Sequence, residues 1–429
     1  MHKRSIDLKM VTTSVREFNW RGFFIVLMSF TATLLFGIVA KGMGILLLTL
    51  RDQFTTHTWI IGSMVSLMIV AADLASIFTV FLEKAMGCRR VLILSILALC
   101  LGMVLTSMST SIIHIFLAMV LLTGPGLGIV LVVHKLLVAR HFTEHYTLAC
   151  GVGHTGTAVA LLSFSPLMQL FLDTYGWRGA TLLMSGVCLH ALACAAVIRD
   201  ETPQYQTLQA QDGSLTDDGK GTTWAKAKVI LFGVWKAADL HLCLEFNFLI
   251  VNACVFGMTC VFTAWAVYFV PHLQAKGFTP QVAASLCSAA AVGYFFGTFV
   301  WAPFIDRGIL RSPTAIIVSS LALTSSFVFD PLVHDTLGYV LITFVFGMSS
   351  SALFTLSDVV TKQLFEGDRL TSAFALARCF NFLARMLAGF LPGLIHDTTG
   401  SFDLAFVVIG IIPTVTLLPI IIGVLQKRL

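Results

Sequence analysis

Arg21–Leu50 reads RGFFIVLMSFTATLLFGIVAKGMGILLLTL. Behind its leading arginine the run is mostly apolar and holds one charge, Lys41. At about 1.5 Å of rise per residue, a helix of this length crosses a bilayer core of roughly 30 Å. A lysine inside a span costs at least about 2.5 kcal/mol on insertion scales, so it marks a functional position unless it snorkels to the headgroups. On this stretch alone both readings of Lys41 stand open.

The whole chain repeats the character of that stretch. Of 429 residues, 57% are hydrophobic and 11% charged, with a mean hydropathy of +0.90. Soluble domains carry about 25% charged residues, so this is a polytopic membrane protein. The net charge of +5 sits in short loops and gives no reason to expect nucleic acid. Ten cysteines are scattered through mostly apolar runs and read as small buried hydrophobes, with no zinc site or disulfide framework and no cofactor implied. The basic N-terminus precedes an apolar run too long for a signal-peptide core, so that run is expected to be kept as the first span. No Asn-x-Ser/Thr acceptor occurs.

Twelve apolar segments follow, at about 22–50, 58–81, 91–108, 112–135, 147–172, 179–198, 244–270, 281–304, 314–330, 336–360, 371–395 and 403–425. Twenty-one of the 27 Lys and Arg residues fall in the tails, the central loop and alternate short loops, and three fall in the opposite loops. The positive-inside rule then places both termini in the cytoplasm. The remaining three, Lys41, Arg378 and Arg385, lie within spans. The domains expected are a tail (1–21), a six-helix half (22–198), a cytoplasmic linker (199–243), a second six-helix half (244–425) and a short tail (426–429). Trp224–Trp235 in the linker mixes lysines with large apolar residues, the pattern of an interfacial helix.

The halves repeat. Phe142 before span 5 corresponds to Phe365 before span 11, and Asp173 after span 5 to Asp397 after span 11, offsets of 223 and 224. A parallel duplication of six spans, with a solute site between the halves, is the arrangement of major facilitator transporters. The fold expected is therefore an all-α membrane bundle in two pseudo-symmetric halves.

Four stretches resemble the monocarboxylate transporter family of that superfamily. They are Gly87-Cys88-Arg89-Arg90-Val91; Arg140-His141-Phe142 with Leu148-Ala149-Cys150-Gly151 and Gly156; Tyr175-Gly176-Trp177-Arg178-Gly179-Ala180; and Pro392–Phe402. The resemblance implies a plasma-membrane transporter, gives Lys41 a counterpart in the family's span 1, and implies a single-span immunoglobulin-type accessory glycoprotein as partner. Two departures matter. The family's first motif survives only as Glu17-Phe18-Asn19-Trp20, and the aspartate and arginine that proton-coupled members carry in span 8 align with Tyr294 and Thr298. Proton–monocarboxylate symport thereby loses its main support.

Span 11 supplies other charges. Arg378, Asn381 and Arg385 stand at i, i+3 and i+7, on one helical face. Arginines in a span face a cavity or neighbouring helices, not lipid. Arg385 is read either as an anion contact or as half of a structural pair. Arg378 and Asp358, on span 10, are expected to pair as an inner gate or as a static bridge. Asp73 in span 2 is the spare carboxylate for proton coupling, against a plain helix-interface hydrogen bond. His154 reads as a satisfied interior histidine, and the glycines of Gly124–Gly128, Gly293 and Gly297 as points of close helix approach. His141–His145 has H-x-x-E-H spacing, but its place in a loop and the lack of a third ligand argue against metal.

The function expected is secondary transport of a small carboxylate-bearing metabolite, with Lys41 and Arg385 drawing the anion and Asn381, Tyr294, Asn247 and Asn252 shaping the pocket; Asp358, Arg378 and Asp73 gate or couple. One alternative is proton-independent diffusion of a zwitterionic or aromatic solute. Another is a transport-inactive sensor or scaffold, against which the charges kept in the spans speak. No enzymatic step is implied.

Overall fold

The structure, a computed structural model, describes residues 20–55, 58–142, 145–198, 240–365 and 367–425. The linker stretch Trp224–Trp235, Glu17–Asn19, Thr143 and Glu144 lie outside the described residues. Helices dominate, and the described residues contain twelve spans when one bent pair is counted once. In the first half these are α1 (Trp20–Gln53), α2 (Thr58–Ala75 continued by Phe78–Met86), α3 (Cys88–Met108), α4 (Ile112–His141), α5 (146–175) and α6 (177–197). In the second they are α7 (Phe246–Ala275), α8 (Pro280–Val300), α9 (Ser312–Val328), α10 (Thr336–Leu364), α11 (Asp368–Thr399) and α12 (Phe402–Leu425). This is an all-α, multi-pass membrane protein with the twelve segments expected from hydropathy.

The boundaries have local causes. Gly176, at φ +67 and ψ 178, breaks an otherwise continuous helix and separates α5 from α6, a conformation that costs glycine little. Beside it Trp177 packs edge-on against Phe54, and Arg178 stacks on Trp177 and donates to the Ser109 carbonyl at 3.1 Å. The Gly-Trp-Arg motif is thus a corner fastening α6 to α1 and α3. Thr279 before Pro280 caps α8, and Asp335 caps α10 through the Gly338 amide at 2.9 Å.

Both halves share an apolar cluster at one end, called here the basic end because it carries the Lys- and Arg-rich loops. There a buried apolar cluster draws Val132, Val138 and Tyr146 from the first half and Phe248, Phe365 and Phe374 from the second. The other two apolar clusters belong mainly to one half each. Close approach is set by glycines: a Cβ at Gly293 or Gly297 would run into the Phe344 or Met348 carbonyl of α10, and one at Gly124 or Gly128 into the Met68 or Ala72 carbonyl of α2. The sequence offset of 223 reappears in contacts, since Gly124 on α4 and Gly347 on α10 both pack on the preceding repeat-equivalent helix, α2 and α8.

Candidate functional site

Helix α2 breaks at Ser76–Ile77 and bends by 52°. At the break the Asp73 carbonyl accepts from the Ser76 amide at 3.3 Å, the Ser76 hydroxyl at 2.5 Å and the Cys379 thiol of α11 at 3.3 Å. Ser76 also donates to the Ala375 carbonyl at 3.0 Å. The kink is therefore tied to α11, and just before it the Asp73 carboxylate meets the arginine face of that helix.

That carboxylate is fully buried and serves two cations. Arg378 donates to Oδ1 and the Arg385 Nε to Oδ2, each at 2.6 Å. Arg385 is 5% exposed, and its second contact is the Thr263 hydroxyl of α7 at 3.4 Å. Two guanidiniums on one carboxylate leave the buried group with one positive charge in excess. Helices α7 and α11 run in the same direction, so residues equally far from their starts lie at equal depth. Thr263 and Arg385 are both 17 residues in, Thr259 and Asn381 both 13 in. At roughly 20 Å from the basic end of each helix, Thr259 Oγ1 and Asn381 Oδ1 are buried without a hydrogen-bond partner among the described residues, as are Arg378 Nε and Asn252 Oδ1. Such groups cost about 1–3 kcal/mol each when nothing answers them. Helices α7 and α11 thus carry buried polar atoms that no described residue answers.

Lys41 lies half-buried on α1 with its ammonium 5.5 Å from the Trp265 ring centroid, two residues along α7 from Thr263. Trp265 stacks on Phe346 at 4.4 Å and Phe269 at 4.9 Å. Lys41 thereby bridges the halves through a cation–π contact nearer the opposite end. Tyr294 is buried among Phe262 and Phe354, an aromatic layer across α7, α8 and α10. Asn252 is buried with Nδ2 on the Phe248 carbonyl at 2.8 Å. Asn247 departs from expectation. It is exposed at the start of α7, because five residues along a helix turn it to a different face from Asn252.

The expected Asp358–Arg378 pair is also corrected. Arg378 bonds Asp73, and Asp358 instead takes Lys135 of α4 at 2.6 Å and His154 of α5 at 3.0 Å, while its backbone carbonyl accepts from the Tyr146 hydroxyl at 3.4 Å. Lys135, counted with the loop charges in the sequence, lies inside α4. Its partner is 223 residues away, the repeat offset, so equivalent positions of the halves meet face to face. That coincidence was the signal available for the pair. Lys362 to the Phe142 carbonyl and Arg140 to Thr371, at 3.3 Å, add further bonds between halves at the same end.

A second polar cluster, within the second half, closes the opposite end of α7. His272 meets Asp330 at 2.6 Å and lies 3.8 Å from Asp403, and Lys276 contacts Asp403 at 3.0 Å and Tyr339 at 2.7 Å. Burial opposes the charge of Lys276, but the Tyr339 hydroxyl and the Asp330 and Asp403 carboxylates outweigh it and hold the ammonium above the usual lysine range. His272, Asp330 and Asp403 offer metal-type ligand atoms within 4.8 Å of one another. The Lys276 ammonium already supplies the cation to those carboxylates.

Comparison with known proteins agrees with this architecture. The chain matches the Major Facilitator Superfamily over residues 23–279 and 253–428. It is 27% identical over 393 residues to monocarboxylate transporter 13 of Rattus norvegicus, covering 91% of this chain and 86% of that one. To monocarboxylate transporter 12 of Homo sapiens it is 24% identical over 414 residues, covering 93% and 79%. Among solved structures, the proton:xylose symporter XylE bound to 6-bromo-6-deoxy-D-glucose superposes with a TM-score of 0.70 at 12% identity, covering 93% of this chain and 94% of that chain. At that identity the likeness concerns the fold alone.

Proposed function

The chain belongs to the major facilitator superfamily, and from that premise we propose that it carries a small monocarboxylate, or a related carboxylate-bearing metabolite, across the plasma membrane by alternating access. It is a secondary transporter and not an enzyme. The observation that carries the substrate class is the buried excess of one positive charge where Arg378 and Arg385 share Asp73. An excess charge in a low-dielectric interior is costly unless an anion answers it, and a guanidinium grips a carboxylate well. The relatives' names, monocarboxylate transporters, fit the same class.

In this reading both termini are cytoplasmic, so the basic end faces the cytoplasm. The bonds gathered there, above all Lys135–Asp358–His154, act as the inner gate, and the arrangement described is closed inward. Lys41 stands on the outer side as the first charge that an arriving anion meets, and Asn381, Asn252 and Tyr294 line its route. An immunoglobulin-type accessory subunit belongs to this reading through the resemblance to the family alone.

A second reading has its own observation. The span 8 positions that would hold an acid–base pair are Tyr294, buried among Phe262 and Phe354, and Thr298, bonded to its own helix through the Phe295 carbonyl at 2.6 Å. Neither moves a proton near neutral pH, which favours facilitated diffusion of a zwitterionic or aromatic solute. A metabolite uptake screen at two external pH values, with an internal pH probe, separates the two. The first reading expects saturable uptake of a monocarboxylate. Uptake of an aromatic zwitterion alone, with no pH change, would replace it with the second.

A further inference from the structure

Asp73 does more than hold two helices together. Its two oxygens are divided, one to each arginine, so neither guanidinium is engaged in a two-pronged pair with it. Arg385 is bonded to Asp73 through Nε only, and its NH1 has the long 3.4 Å contact to Thr263. Beside it, Arg378 Nε, Asn381 Oδ1 and Thr259 Oγ1 are buried and unanswered among the described residues. The other charges nearby are spoken for. Asp358 is taken by Lys135 and His154, and Lys41 is half-buried toward the opposite end.

Resting on the anion-carrier reading above, we propose that Asp73 sets the charge class of the solute. By neutralising one of the two arginines it leaves room for a single carboxylate. When a monoanion arrives, Asp73 keeps Arg378 while Arg385 turns its free edge to the solute, and two cations then face two anions. A dicarboxylate would bring a third negative charge to the same two cations and leave one buried without a partner, which is strongly unfavourable. Monocarboxylate selectivity thus arises from a charge count between α2 and α11, with no need for an acid–base pair on α8.

The count makes predictions that a merely structural role does not. The full-length protein is reconstituted in liposomes, and initial uptake of L-lactate and succinate is compared at neutral pH, where both succinate carboxyls are ionised. The wild type should prefer lactate. Asp73→Asn leaves two uncompensated arginines and should lower the lactate-to-succinate ratio by about tenfold or more. Adding Arg378→Gln returns the count to one excess charge, and the double variant should regain the lactate preference. Arg378→Gln alone cancels the excess and should weaken uptake of both anions by about tenfold, a reading that does not depend on how well Asp73→Asn folds. An unchanged ratio in Asp73→Asn, a double variant as unselective as the single, or an Arg378→Gln protein with wild-type uptake overturns the inference. A wild type that carries neither anion overturns the carrier reading itself and this inference with it.

Discussion

A charged side chain inside a membrane span must find water, an opposite charge or a solute. Arg385 and Arg378 find Asp73, and Lys41 finds the face of Trp265. A cation–π contact of this kind satisfies a charge only partly, at about 0.5–2 kcal/mol, and leaves Lys41 free to meet an anion. We expect Lys41→Gln to reduce uptake of a carboxylate several-fold while sparing its neutral amide analogue; equal loss of both, in paired uptake assays, would assign Lys41 a packing role. These charges were conspicuous in the sequence because a hydrophobic background makes each one stand out. Their partners were not. Asp73 meets the arginines because α2 packs along α11, as Ser66 against Gly389 also shows, and no spacing rule foretells which helices pack together across the two halves.

At the scale of elements, α4 and α10 meet through Lys135 and Asp358, equivalent positions in the two repeats. The sequence contained both halves of this observation, the offset of 223 and the two charges. Lys135 escaped notice because it falls at the apparent edge of span 4, where a lysine passes for a loop residue. If the pair closes the inner gate, each single reversal, Lys135→Asp or Asp358→Lys, should cut transport by about tenfold or more, because an isolated buried charge is left behind. The double swap should recover much of the loss, short of wild type, because His154 would then face a lysine. Uptake by the double variant no better than by the worse single would exclude a pairing role, a comparison read directly as a double-mutant cycle.

For the whole molecule, hydropathy, loop charge and the repeat were enough to anticipate the twelve spans and the two halves, because lipid forces every backbone group into helical hydrogen bonds and leaves few alternatives. The pairing of charges between halves was beyond them, since it depends on how one half sits on the other. In the arrangement described, the basic end is sealed by the apolar cluster around Val138, Tyr146, Phe248 and Phe365 and by the Lys135–Asp358–His154 bonds. A scaffold would have no use for a buried excess of positive charge near mid-membrane; a carrier of anions would. The most direct test is counterflow in liposomes holding the purified protein. With unlabelled L-lactate inside, wild type should accumulate external labelled L-lactate transiently above equilibrium, and Arg385→Gln should abolish the overshoot. No overshoot from the wild type with any small monocarboxylate, or an undiminished one from Arg385→Gln, would contradict the account.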